Sequence, residues 1–391
     1  MATLIYHSGF EMGLFGEWTS ATGTVSVDAA TKKTGGYSCR LNPTAAQAYL
    51  TQTISTNALV IHAWLYFTTL PSSGDTYIRI LQGAGTLLHG LVFKPADSKL
   101  YCEINANYNA TGITITTDTW YEVNIKVITS ANPHTLAITV NGSSISHSYA
   151  AGAETLTGIF VGTGSLITTD YYIDDVSVSY TAGDYPLADI RCATVANPNA
   201  AGTYSAFDTL VPGAGEAHYE DYDDPAGTAV ATMDDDYVEQ AGKAAVADIA
   251  NLDSCADIGL AAGDVIDAVN VMIYHNGVTD GTAGIRVRSN AGTDYDTAKT
   301  IAGITWSSVY YALDPAGAAW TQTNFNGFQA GKYTASHATD EFLYCVMVFV
   351  AYTAGAALAI SKVNDIAWAS IGKINGVAVA SISKVNGVAK P

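Results

Sequence analysis

Between Leu4 and Tyr180 the chain is a succession of short runs of Val, Ile, Thr and aromatic residues, each closed by Gly, Asn, Pro or Asp. Ala58 to Phe67, Tyr77 to Leu81, Leu100 to Asn105, Tyr121 to Ile128 and Thr135 to Val140 are such runs. They are too short for ordinary helices, and their β-branched and aromatic side chains suit a pleated, half-buried surface. Val140-Asn141-Gly142-Ser143 predicts a two-residue hairpin, because Asn-Gly accepts the positive φ that a type I′ turn needs at both central positions. Tyr171 to Tyr180 alternates as a closing strand would, and Thr181 to Pro186 is loop chemistry. Charged residues make up only 14% of the chain, too few for long solvated helices, while 48% hydrophobic residues are too many for disorder. The expectation is an all-β protein with two jelly-roll-like β-sandwich domains, residues 1–180 and 187–352, joined by a linker at 181–186. A linker and a short β-repeat tail occupy 353–391.

In the second region Ala188 to Thr194, Val265 to Tyr274, Gly284 to Ser289 and Phe342 to Val350 read as strands. Phe342 to Ile360 is free of charge for nineteen residues, near the length that spans a bilayer as a helix. Its first half is aromatic and β-branched and Thr353-Ala354-Gly355 then breaks it, so a core strand is expected and membrane insertion is not. Nine acidic residues from Glu216 to Glu239 lack the alternation and glycine of an EF-hand loop and read as a solvated acidic loop. The five cysteines stand far apart, with no CxxC pair, and are expected to be buried free thiols. Met1 to Phe10 lacks a basic segment followed by an apolar core, so no secretory signal is expected. A net charge of −19 argues against nucleic acid as a partner, since counterion release needs a basic face.

The tail carries an internal repeat. Ile360-Ser361-Lys362-Val363-Asn364-Asp365-Ile366-Ala367, Ile371-Gly372-Lys373-Ile374-Asn375-Gly376-Val377-Ala378 and Ile382-Ser383-Lys384-Val385-Asn386-Gly387-Val388-Ala389 recur every eleven residues. Asn-Gly or Asn-Asp between β-branched residues predicts tight turns joining very short strands. Such units bury no core alone and are expected to pack on a body domain or on the tails of other copies. Residues 360–391 carry four lysines and one aspartate, net +3, against −22 on the rest. That contrast favours association, though four lysines also keep an edge strand soluble.

No nucleophile elbow, P-loop, dinucleotide fingerprint or HExxH motif is present. Glu11 with Glu17, or Asp174 with Asp175, would be acid pairs for glycoside hydrolysis only if strands aimed both into one cleft. On these grounds the chain is expected not to be an enzyme.

Gly9-Phe10-Glu11-Met12-Gly13 with Trp18, then Gly35-Gly36-Tyr37-Ser38-Cys39-Arg40-Leu41, and finally Tyr172-Ile173-Asp174-Asp175-Val176 resemble β-sandwich carbohydrate-binding modules and the related laminin-G or concanavalin-like jelly rolls, over residues 4 to 180. In such modules an early Glu and an Asp of the last strand hold a structural calcium, and the resemblance places Glu11 and Asp174 in those positions. A hard cation with six to eight oxygen ligands would tie the first strand to the last. Read on their own, the two are equally a surface Glu and a turn Asp. Strand alternation would send Asp175 to the face opposite Asp174. Trp64, Tyr66, Tyr77, Tyr101, Tyr108 and Trp120 are candidates for a sugar platform, but alternation alone does not select among them.

Ala188-Asp189-Ile190-Arg191, Asp234-Asp235-Asp236, Leu313-Asp314-Pro315 with Trp320-Thr321, and Phe328-Gln329-Ala330-Gly331 are similar to stretches in structural proteins of tailed bacteriophages, and the Lys-Asn-Gly tail is similar to tails of phage virion proteins. The pattern departs from them at Ser336-His337. The resemblance implies a virion component, a fibre, decoration or tail protein, with other virion proteins as partners, a homo-oligomer with a trimer as the expected form, and surface glycans as contacts. A cell-surface or secreted carbohydrate-binding protein is the alternative, and a glycan-degrading enzyme the third reading.

Overall fold

The computed structural model describes residues 4–355 apart from 83–85, 208, 212–218, 220–236, 241–244, 277–282, 301–302 and 336–339, and beyond 355 six two-residue strands. Most of the acidic stretch and the Ser336-His337 loop lie outside the described residues.

The fold is all-β, built from antiparallel sheets. In the first sheet the order is Ser143–Tyr149, His134–Val140, Trp120–Ile128, Ala58–Thr69, Asp170–Ser179, Ser38–Leu41 and Val25–Asp28, with Leu4–Ser8 also paired to Asp170–Ser179. The second runs Asn107–Tyr108, Lys99–Ile104, Thr86–Lys94, Asp75–Gln82, Leu156–Ile167, Ala46–Thr56 and Ser20–Gly23. Their inner faces meet in one core, in which Leu65, Phe67, Tyr77, Phe93, Val123, Ile125 and Tyr171 are almost wholly buried. Strand alternation puts these residues inside and their neighbours Trp64, Tyr66 and Glu122 on the outer face. The hairpin at Asn141-Gly142 joins two of the strands, with φ of 46° and 79° at its central residues.

A third sheet holds Thr209–Val211, Tyr237–Gln240, Glu341–Thr353, Val265–Asn276 and Ile304–Tyr311, with Ile190–Ala196 on Glu341–Thr353. A fourth holds Pro198–Ser205, Val246–Leu252, Gln329–Thr334, Ala283–Arg288 and Asp294–Ala298. Val271, Ile285, Val287, Trp320, Phe325, Phe328 and Val348 fill the space between them. Glu341–Thr353 is the central, doubly paired strand of the third sheet, which explains its run of apolar residues without a membrane. No described helix is long and apolar enough to cross a membrane. All five cysteines are buried, and none is in a disulfide.

The two sandwiches share a largely apolar joint. Leu4 and Val60 pack with Leu187, Ile190, Cys192, Ala268 and Ala351, and Met12 packs with Met272, Cys345, Met347 and Phe349. His7 Nδ1 and Tyr310 Oη share a hydrogen bond of 2.9 Å across it. Gly9 sits so close to the second body that a Cβ there would lie 2.0 Å from the Cys192 carbonyl oxygen. Gly9→Ala is therefore expected to destabilise the joint by about 1–3 kcal/mol, as other overpacked sites do. Denaturant unfolding would show it, and a midpoint equal to wild type would mean the two bodies are not held as described.

In the tail, Lys362–Val363 pairs with Ile366–Ala367, Lys373–Ile374 with Val377–Ala378, and Lys384–Val385 with Val388–Ala389. These are the three hairpins the repeat predicts, each a separate two-stranded sheet.

Candidate functional site

Two sites occupy the first sandwich: an acidic node at its joint with the second body and an aromatic row on its outer face.

The node begins with Glu11, which follows the first strand and is 6% exposed. Its Oε2 accepts the Gly36 N–H at 2.9 Å, and its Oε1 accepts the Tyr37 N–H at 3.3 Å. Asp174, fully buried, accepts the N–H groups of Lys33 at 2.7 Å and Thr34 at 3.3 Å on Oδ2, and that of Asp175 at 2.8 Å on Oδ1. Glu11 and Asp174 thus fasten the same segment, residues 33–37, from two sides. The expectation that Asp175 faces away from Asp174 is not met. The ladder to Ala58–Thr69 shifts register between Asp174 and Ser177, and Asp175 takes a φ of 49°, so the bulge breaks alternation. Asp175 is buried as well, accepting the Thr34 hydroxyl at 2.7 Å and, from the second body, the Cys192 N–H at 2.7 Å.

Burial is the first cause that raises all three carboxyls. Glu11 is pushed up to about 7, with Asp175 adding to the rise against the Gly36 and Tyr37 amides. Asp174 goes well above its usual value, where Asp175 adds further, and Asp175 rises too. Nearby Glu17, its oxygens shielded from solvent, is pushed up to about 8 by burial.

Oxygen-only donors are what calcium takes, but it wants six to eight of them around one centre. Here the oxygens of Glu11 and Asp174 face amide N–H groups, and among the described residues no group of three or more His, Cys, Asp or Glu side chains could hold a metal ion. As placed, the node does not fit a calcium cage and holds by hydrogen bonds.

The aromatic row is a cross-strand register. Trp120 lies opposite Tyr66, Tyr66 opposite Tyr172, and Tyr172 opposite Arg40. Ring centroids are 5.2 Å apart for Tyr66 and Trp120 and 5.9 Å for Tyr66 and Tyr172, and the Arg40 guanidinium stands 5.6 Å from the Tyr172 ring. Trp120 and Tyr66 are half-buried, while Tyr172 backs them at 5% exposure. Polar groups border the rings. Tyr66 donates to Asp118 Oδ1 at 3.2 Å, and Arg40 makes a two-pronged bond to Asp170 at 2.9 Å on each side. Burial raises Asp170, but the hydrogen bonds of Arg40 and Thr68 and the Arg40 charge together outweigh it and hold the carboxyl below its usual value. In such a row the half-exposed rings of Trp120 and Tyr66 are the parts that sugar C–H groups can meet, with the bordering polar groups as acceptors and donors for hydroxyls.

Of the six candidate aromatics, the structure brings together Tyr66 and Trp120 and separates the rest. Tyr77 is core. Trp64 is covered by the Lys33 ammonium, 3.6 Å from its ring centroid, and donates to Asp189. Tyr101 is buried and Tyr108 is 40% exposed on the other sheet, both beneath Lys94. Sequence reasoning missed Tyr172, Arg40, Asp170 and Asp118. Alternation with Ile173 could have put Tyr172 on an outer face, but its place beside Tyr66 comes from strand order alone. A cleft of about 520 Å³ opens where the linker enters the second body, edged by Asp184, Pro186, Ile190, Val265, Asp267 and Thr353. Its described lining carries no aromatic ring.

No protein-family model matches the chain, and no curated protein matches it. Solved structures that resemble it include a sialidase (TM-score 0.34, 13% identity, 47% of this chain and 19% of that one). A Trypanosoma rangeli sialidase in complex with the inhibitor DANA has a TM-score of 0.31 and 13% identity, over 40% of this chain and 27% of that one. The alginate lyase Aly36B has a TM-score of 0.34 and 10% identity, over 46% of this chain and 95% of that one. The chain thus spans well under a third of the sialidases' length. These findings correct the expectation that the chain is not an enzyme. That expectation rested on missing short motifs, whereas the similar structures are glycan-processing enzymes. Carboxylates that work in pairs on glycans come from separate strands and leave no such motif.

Proposed function

We propose that this chain is a structural component of a phage virion that contacts surface glycans through the outer face of its first sandwich and assembles through its second body and tail. The row of Trp120, Tyr66 and Tyr172 carries the glycan part of this reading. The virion part rests on the similarity of residues 188–331 and of the tail repeat to phage structural proteins. Other virion proteins and further copies of this chain are its partners, and the virion is its location.

Binding to a panel of bacterial polysaccharides, measured by calorimetry on the full chain, tests the glycan part. Tyr66→Ala and Trp120→Ala are each expected to weaken binding about tenfold or more, the scale of an aromatic anchor. Equal affinity in both variants would remove the row from recognition. The same panel scored for new reducing ends or unsaturated products reads catalysis, and turnover would move the reading to a glycan-processing enzyme. Mass spectrometry of purified virions tests the location.

A further inference from the structure

In the second sandwich a lysine points into the core. Ala330, Lys332 and Thr334 share the inner face of one strand of the fourth sheet, and Lys332 is fully buried. A lysine is almost never so placed without a specific partner. Its Nζ is in ion-pair contact with Glu341, also fully buried, at the start of the central strand of the third sheet. It further donates to the Asn276 backbone oxygen at 2.6 Å, to Asn276 Oδ1 at 3.1 Å and to the Phe342 carbonyl at 2.9 Å. The Asn276 carboxamide is itself clamped. Its Nδ2 donates to the Asp340 carbonyl at 2.8 Å, and its Oδ1 accepts the Phe342 N–H at 2.5 Å.

An amine and a carboxyl group sealed from water, with a half-buried carboxamide within hydrogen-bond reach of the amine, are the parts of an acyl transfer. We propose that Lys332 and Asn276 join in an intramolecular amide bond across the sandwich, with Glu341 as proton carrier. Lys332 Nζ first gives a proton to the Glu341 carboxylate, leaving a neutral amine and a neutral acid. Nζ then attacks Asn276 Cγ, and the charge that develops on Oδ1 falls on the Phe342 N–H, already in place. Glu341 protonates Nδ2 and takes a proton from Nζ. The Cγ–Nδ2 bond breaks and ammonia leaves. Amine plus carboxamide give amide plus ammonia, with no oxidant or second reactant.

Burial supports the first step, since it lowers Lys332 to about 8 against the pull of Glu341. Neighbouring His275, fully buried, is pushed down to about 3 by burial first and by Lys332 next, so it stays neutral and does not compete for the proton. The bond would link Val265–Asn276 of the third sheet to Gln329–Thr334 of the fourth, so the two layers could not separate on unfolding. It is independent of the glycan row.

Intact mass of the denatured full chain tests this. The expected result is a mass about 17 Da below that of the sequence, one ammonia lost per amide formed. A protease digest should contain a branched peptide joining Lys332 to Asn276. Lys332→Arg and Glu341→Gln should each restore the full mass, with near-UV circular dichroism showing that the variants fold. The full sequence mass in the wild-type chain overturns the proposal. A deficit that survives Lys332→Arg also overturns it, because Asn276-Gly277 can lose ammonia as a succinimide on its own. A deficit that survives Glu341→Gln overturns the assigned proton path.

Discussion

Asp174→Ala is expected to lower the stability of the first sandwich by about 3 kcal/mol, because it takes the acceptor from the partly buried N–H groups of Lys33 and Thr34 and the buried one of Asp175. For a body of this size that is a fall of about 10 °C in melting temperature. A fall of this size with the fold retained identifies the node as the fastening of residues 33–37. A variant that melts with wild type would show that the loop is held by other contacts. Glu11→Gln is expected to act in the opposite sense near neutral pH. It keeps acceptor capacity for the Gly36 amide while removing a charge that burial disfavours.

The pH dependence follows from the direction of the shifts. Glu11 moves from 4.5 to about 7 on folding, and Asp174 and Asp175 also rise. A carboxyl raised on folding keeps its proton in the native state after the unfolded chain has released it. Its contribution is fully present below the unfolded value and is lost as pH climbs through the folded one. For Glu11 the window is 4.5 to about 7, and the loss is about 3 kcal/mol in order of magnitude. Melting of residues 1–180 should therefore fall between pH 5 and pH 8, and Glu11→Gln should flatten the slope. A slope of opposite sign would mean the carboxylates are charged and matched by a cation. A chelator separates the cases. A node closed by amides ignores it, whereas a chelator-dependent fall that Asp174→Ala abolishes would assign calcium to Glu11 and Asp174.

The sheets were legible because their signal is local. Ala58 to Phe67, Thr135 to Val140 and Phe342 to Val350 advertise strands through residue type and punctuation, and the structure draws them at 58–69, 134–140 and 341–353. Resemblance singled out Glu11 and Asp174 as calcium ligands, and the amides that the structure sets against them were not legible. The N–H groups of residues 33–37 belong to the backbone and leave no trace in residue type. Asp175 was misplaced because a single bulge reverses the side of every residue beyond it. The aromatic row needed register, which sequence does not state: Trp120, Tyr66 and Tyr172 stand 54 and 106 residues apart along the chain and become neighbours only through strand order. Lys332 was hidden for a related reason. A charged residue inside a strand reads as solvent-facing until the opposite sheet is known to supply Glu341.

Removing residues 360–391 is expected to change the association state of the chain more than any point substitution. Each tail hairpin pairs two residues with two, below the size at which a hairpin is stable alone in water. Each is a separate two-stranded sheet among the described residues, and a two-stranded sheet has edge N–H and C=O groups that a further strand could pair with. The repeat presents that edge three times at a spacing of eleven residues, which multiplies a weak contact if copies align in register. A tail of net +3 beside a body of net −22 adds attraction between copies, and salt screens it. Sedimentation of the full chain should therefore show an assembly that falls apart, or fails to join particles, once the tail is deleted, and that weakens as salt rises. Among the described residues none of the four body sheets takes a strand from beyond Thr353, so the truncated chain is expected to fold. An unchanged sedimentation profile, with the truncated chain still folded, would show that the hairpins dock on their own body and that association lies elsewhere.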